Sequence, residues 1–145
     1  AFTGLGSPFW RSEARGVLMG LSTSTTKAHI ARAVVEALAF QVRAMTEAFA
    51  EGGVALQELR ADGGAAAMDL LLQLQATNSQ LTVRRSRSLE ATAQGAALMA
   101  GLEAGLWPSL ESLAALWGST FTAEPEDSTF VDVGYAAWLD ATTRA

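Results

Sequence analysis

The stretch from Lys27 to Ala50 restricts the fold more than any other part of the chain. Ile30, Val34, Leu38, Val42, Met45 and Phe49 recur every three or four residues, which predicts one long helix with a single apolar face. Ala33, Ala37 and Ala48 widen that face, and Arg32, Glu36, Arg43 and Glu47 fall where they can reach water. The expectation is that the apolar face is buried. Ser22 to Thr26 supply N-cap candidates, and Gly52-Gly53 ends the helix with residues that accept a left-handed turn. A helix this long needs further layers to cover it.

Three strands are expected around it. Gly16 to Leu21 is a near-continuous apolar run, as in a strand covered on both faces. Leu56 to Asp62 is the second, and Leu81 to Arg85, with β-branched Thr82 and Val83, is the third. A helix from Ala65 to Asn78 would bury Leu70, Leu71, Leu74 and Leu72. Thr92 is a cap candidate for a helix running through Ala96, Leu98, Met99, Leu102 and Leu106 to Trp107, where Pro108 stops it. Ser109 starts a short helix to Trp117, Gly118 to Thr129 reads as a polar connection, and Val131 to Thr142 is a last helix anchored by Tyr135 and Trp138. At the other end, Phe2, Leu5, Phe9 and Trp10 mark an ordered loop whose apolar side chains need something to pack on.

Strand and helix alternate, so the fold class is α/β with mainly parallel pairing. One domain is expected, with residues 1–117 as its core and 118–145 as a connection and terminal helix. Three strands make a narrow sheet, which further sequence or a partner would complete more comfortably. The chain opens on Ala1 rather than Met, in keeping with a piece of something longer.

Composition narrows the chemistry. The 145 residues are half hydrophobic and contain no cysteine and one histidine, His29, so thiolate chemistry, disulfides and multi-histidine metal sites are excluded. The formal charge of −5 argues against a nucleic-acid partner, and Arg84-Arg85-Ser86-Arg87 reads as a solvated strand end. No long uncharged apolar run or signal peptide points to a membrane, and a cytoplasmic protein is expected. His29 falls on the long helix, where a structural role is expected.

The candidate site is the strand–turn–helix passage Leu59 to Ala67, centred on Asp62-Gly63-Gly64. Glycines there let a ligand approach bare backbone, and the helix start offers N–H groups to a polar ligand. A glycine pair between strand and helix is equally an ordinary tight connection. The turn lacks the Gly-Lys-Ser/Thr ending of a P-loop. Asp62, at the strand end, could orient the turn's backbone, and Glu90 is the nearest candidate for a second carboxylate.

Several segments together resemble a known family. Gly4-Leu5-Gly6-Ser7-Pro8-Phe9-Trp10, Ala14 to Leu21, Thr25 to Ala33 and Glu36 to Gln41 look like the C-terminal half of glycerol kinase. Gly16-x-Leu18-x-Gly20-Leu21, a gap of seven residues, then His29-Ile30-x-x-Ala33-Val34-Val35-Glu36 is similar to a pattern shared by glycerol, xylulose and gluconate kinases. Asp62-Gly63-Gly64-Ala65, Thr92 to Gly101 and Gly105-Leu106-Trp107 extend the likeness, and Gly134 to Trp138 looks like the family's closing helix.

The resemblance implies an actin-like, ribonuclease-H-like ATPase domain that binds ATP or ADP with magnesium. Gly63, Gly64, Ala65 and Met68 would be its nucleotide-binding residues, with Gly64 against the nucleotide. The family usually has asparagine at the position of Met68, beside the adenine. Methionine can pack on a purine face but lacks the amide's hydrogen bonds. By the same resemblance, the catalytic aspartate and the polyol contacts belong to sequence before Ala1. No residue here is assigned as catalytic or as a metal ligand, and this chain alone is expected to be inactive. The complete protein would phosphorylate a polyol and is expected to be a homo-oligomer. The second reading is a truncated, non-catalytic remnant acting as an oligomerisation or partner-binding module.

Overall fold

The computed structural model describes residue 1 and residues 3–145; the expectation for Phe2 lies outside the described residues. The predicted long helix is present as α1, Lys27–Glu51. Thr26 caps it: its hydroxyl accepts from the His29 N–H, and His29 Nδ1 accepts from the Thr26 N–H, both at 3.3 Å. The one histidine is thus a capping residue. Gly53, with φ of 81°, turns the chain away after Gly52.

After α1 come β1, Glu58–Ala61, and a 3₁₀ turn, Gly64–Ala67. Then follow α2, Asp69–Ser79, β2, Thr82–Ser86, and α3, Ala91–Glu103. The chain closes with α4, Leu110–Ala114, β3, Ser119–Ala123, and α5, Thr129–Thr142. The sheet order is β1-β2-β3, parallel between β1 and β2 and antiparallel between β2 and β3. The fold class is α/β, as expected, with a small mixed sheet.

The membership of that sheet differs from expectation. Gly16 to Leu21 forms no strand, and Val17, Leu18, Met19 and Leu21 are exposed. An apolar run becomes a strand only when another strand takes its hydrogen bonds, and among the described residues none does. The third strand is β3, inside the stretch read as a polar connection. Phe121 and Ala123 alternate with Thr120 and Thr122, and Ala123 reaches the core.

The core lies between α2 and the sheet. Leu72, Ala76, Val83, Ala123 and Ala66 form it, with Leu59, Ala61, Leu89 and Phe121 packed around. α1 packs on the rest of α2, so Leu71, Leu74, Thr77 and Asn78 are buried as well. Leu72 is the deepest of the leucines, at 1% exposed, whereas Leu70 is exposed. A second cluster joins α1 to α5: Phe40, Ala44 and Tyr135, with Phe9, Trp138 and Leu139 around them. Tyr135 and Trp138 stack at 5.9 Å, the anchoring expected of that pair. The Tyr135 hydroxyl donates to Glu47 Oε2 at 2.6 Å, and Arg43 bridges Glu47 and Asp132. The N-terminal loop joins this cluster through Phe9, which meets Trp138 edge-on, and through Arg11, which donates to the carbonyls of Thr142 and Ala145 at 2.7 Å. Trp10, expected to pack, is 79% exposed.

The buried face of α1 is therefore Ala39, Phe40 and Ala44. The apolar stripe expected to be buried faces outward: Ile30, Val34, Leu38, Met45 and Phe49 are all exposed. Thr92 does not cap α3; Glu90 holds the N-cap position, and no side chain bonds there. Ser109 does cap α4, accepting from the Ser112 N–H. No helix among the described residues is long and apolar enough to cross a membrane.

Candidate functional site

β1 delivers the glycine turn at the carboxyl end of a parallel strand pair, where α/β folds gather their ligands. Gly63 sits at φ 84°, ψ 172°, backbone that side-chain-bearing residues avoid. Its N–H donates to the Leu89 carbonyl at 2.9 Å, so the loop leading into α3 fixes the turn from one side. The Gly63 carbonyl accepts from the Ala66 N–H at 3.0 Å, opening the 3₁₀ turn, and Ala66 plugs into the core. The backbone-orienting part considered for Asp62 belongs to Leu89: Asp62 is exposed, and among the described residues its carboxylate makes no hydrogen bond to the turn.

The chain does not pass straight into a helix from Ala65. The 3₁₀ turn closes with the Met68 N–H donating to the Ala65 carbonyl at 3.1 Å. Met68 then becomes extended, at φ −89° and ψ 102°, and its carbonyl starts α2 by accepting from Leu71 and Leu72. Ala66 before this break and Leu72 after it both reach the same core cluster. The result is a rim: Gly64, Ala65 and Met68 are exposed, Met68 at 45%, and Gly63 lies behind them. A methyl group placed on Gly64 would meet nothing within 4 Å, so the backbone there is open to a ligand. The rim offers bare peptide and one soft apolar side chain. It holds no nucleophile, and among the described residues no group of three acidic or histidine side chains could hold a metal ion.

Arg85 is the residue that sequence reading missed. Taken as part of a solvated strand end, it instead turns inward beneath the 3₁₀ turn, its side chain 19% exposed. Its Nη1 donates to Asp69 Oδ1 at 2.7 Å and to the Ala66 and Ala67 carbonyls at 3.3 and 3.4 Å. The signal was available: alternation along β2 puts Arg85 on the same face as Val83, the innermost residue of the strand. Arg84 does stay outward, paired with Glu58 at 3.1 Å.

A separate apolar cleft of about 470 Å³ lies on the other side of the sheet, between β1, α3 and α4. Arg60, Gln94, Leu98, Leu113 and Trp117 line it, with Arg60 stacked over the Trp117 ring at 4.3 Å. Asp62 stands at its edge, but Gly63, Gly64, Ala65 and Met68 do not border it. The turn and the cleft are two places, and the sequence-predicted residues gather at the first.

Comparison with known proteins bears on this arrangement. Residues 1–104 match the model of the FGGY family of carbohydrate kinases, C-terminal domain. The glycerol kinase of Acinetobacter baylyi is 52% identical over 127 residues, 87% of this chain and 26% of that protein. Glycerol kinase 2 of Sulfolobus acidocaldarius is 40% identical over 147 aligned positions, covering all of this chain and 30% of its own length. The crystal structure of Plasmodium falciparum glycerol kinase with ADP superposes with a TM-score of 0.82 at 32% identity, over 99% of this chain and 29% of that one. A ligand-bound xylulose kinase from Lactobacillus acidophilus shares the fold, with a TM-score of 0.78 at 20% identity over 95% of this chain and 29% of its own. The chain thus spans less than a third of the length of these relatives. With the family model covering most of its residues and close relatives along its length, the chain belongs to the FGGY family of carbohydrate kinases, within their C-terminal domain.

Proposed function

We propose that this chain is the nucleotide-binding portion of a glycerol-kinase-like enzyme, whose complete form transfers a phosphoryl group from ATP to a polyol hydroxyl. The observation that carries the reading is the turn itself. Gly63, held at φ 84°, presents an open Gly64 backbone beside an exposed Met68 at the end of a parallel strand. In this reading Gly63 and Gly64 let the nucleotide lie against peptide, Ala65 keeps the rim low, and the Met68 thioether packs on the purine face. Magnesium bound with the nucleotide supplies charge neutralisation for the transferring phosphoryl group. The general base and the polyol contacts lie outside these residues, so the chain's own task is to bind and orient. Kinship with glycerol kinases makes glycerol the first polyol to try.

Calorimetric titration with ADP and magnesium tests it. Heat that saturates in the millimolar range or below is the expected result, and no heat at millimolar nucleotide would overturn binding by this chain. A glycerol phosphorylation assay on the chain alone should read zero.

One observation favours the second reading, a non-catalytic oligomerisation or partner-binding module. The exposed stripe of α1 and the exposed Val17 to Leu21 segment are the kind of apolar surface that seeks a cover. Light scattering separates the two: a clean monomer that binds ADP counts against the module.

A further inference from the structure

We propose that Arg85 is the positioning residue of the glycine turn, holding the rim from Gly64 to Met68 in the shape that receives the nucleotide; the nucleotide part of this role rests on the function proposed above. The register of the sheet puts Arg85 beside Ala61, the last residue of β1, so its side chain rises directly under the turn that β1 feeds. From there Nη1 serves three oxygens. Asp69 Oδ1 takes one of its hydrogens at 2.7 Å, and the carbonyls of Ala66 and Ala67 share the other at 3.3 and 3.4 Å. Those acceptors bracket Met68 on both sides in the sequence.

The need for such a group follows from the shape of the turn. A helical segment that stops at Met68 leaves its last carbonyls without N–H partners from a further turn. A cation at that end satisfies them and meets the negative end of the aligned peptides. The same cation then pairs with Asp69 in the first turn of α2, tying together the two segments that Met68 separates. The strut is itself braced from β3: Arg85 Nε donates to Thr120 Oγ1 at 3.3 Å, and the guanidinium lies over the Phe121 ring at 5.0 Å. A planar fork can face the loop with one nitrogen and the strand with another; a lysine ammonium cannot span both. With Nη1 committed to protein oxygens, Arg85 shapes the rim without reaching for the phosphates.

The test uses R85M and R85K in this chain, with D69N as a milder cut at the same strut. Amide exchange without ligand reads the loop, and ADP titration well below each variant's melting temperature reads the site. In R85M the Ala66 and Met68 amides should exchange about tenfold faster while the ladder between β1 and β2 keeps its protection, and the Kd for ADP should rise about tenfold. R85K should fall between R85M and the parent, and D69N should shift both readouts less. Unchanged exchange at Ala66 and Met68 would overturn the strut. Faster exchange with an unchanged Kd would overturn the positioning role and leave Arg85 merely structural. If the parent itself binds no ADP, the proposed function fails and the nucleotide part of this inference fails with it, while the exchange result still decides the strut. Should R85M not fold, R85K and D69N are scored on the same criteria.

Discussion

The apolar stripe of α1 and the leucines of α2 look alike in the sequence and end in opposite places. Val34 is 45% exposed, whereas Leu72 is 1% exposed. Both belong to helices rich in apolar residues. α2 lies between α1 and the sheet, and nearly its whole circumference is covered. α1 covers α2 and meets α5 with one side only, through Ala39, Phe40 and Ala44, and leaves its more regular stripe to the outside. Periodicity reports that a helix has an apolar face. Whether anything covers that face depends on the elements around it, which is why the plainest helical signal in the chain pointed to the wrong side.

That contrast can be tested by three substitutions. Leu72→Ala empties a site walled by Ala76, Val83 and Ala123, and should cost roughly 2–5 kcal/mol in chemical denaturation. A loss below 1 kcal/mol would mean that the α2 side is loosely packed and the contrast is false. Tyr135→Phe acts on the covered side of α1. It removes the hydrogen bond to Glu47, worth about 1 kcal/mol, and keeps the ring under Arg43.

Tyr135 also gives this test a pH signature. Burial first, and then the bond to the Glu47 carboxylate, raise its phenol above the ordinary tyrosine range. The fold therefore favours the protonated phenol. That contribution is complete below the unfolded value of about 10 and is lost as pH climbs from there toward the folded value. The advantage of the parent over Y135F should accordingly shrink in alkaline solution. Because Tyr135 is the chain's one tyrosine, its tyrosinate absorbance follows the titration directly.

Val34→Ala should have the smallest effect, within about 0.5 kcal/mol, since it trims an exposed side chain and alanine suits a helix better than valine. A loss approaching that of L72A would show the stripe to be covered in solution, and would move weight toward the module reading.

The glycine turn was legible because its causes are local. Asp62-Gly63-Gly64 after a strand demands backbone that only glycine takes easily, and Gly63 is found there at φ 84°. The cap at Ser109 was readable for the same reason, as was the pairing of Tyr135 with Trp138 one turn apart, whereas α3 ends at Glu103 and the chain turns at Gly105, φ 77°, short of the stop expected at Pro108. The break at Met68 was harder to see. No proline or glycine marks it, and the residues on its two sides, Ala66 and Leu72, meet only in the tertiary core. Arg85 escaped notice because three arginines within four residues suggest a wet surface, although strand alternation turns one of them inward.

The sequence by itself determined the helix-forming periods, the caps of α1 and α4, the special backbone of the turn and, through its likeness to the carbohydrate kinases, the family. Those depend on neighbours a few residues apart, and on matched segments that can be laid side by side. Tertiary structure alone decided which apolar runs are covered and which strands pair. Gly16 to Leu21 has the composition of a strand and, among the described residues, no strand partner, while Ser119 to Ala123 has the composition of a loop and pairs with β2. A strand is a relation between two segments, made when one backbone's hydrogen bonds meet another's, so one segment's residues cannot settle it.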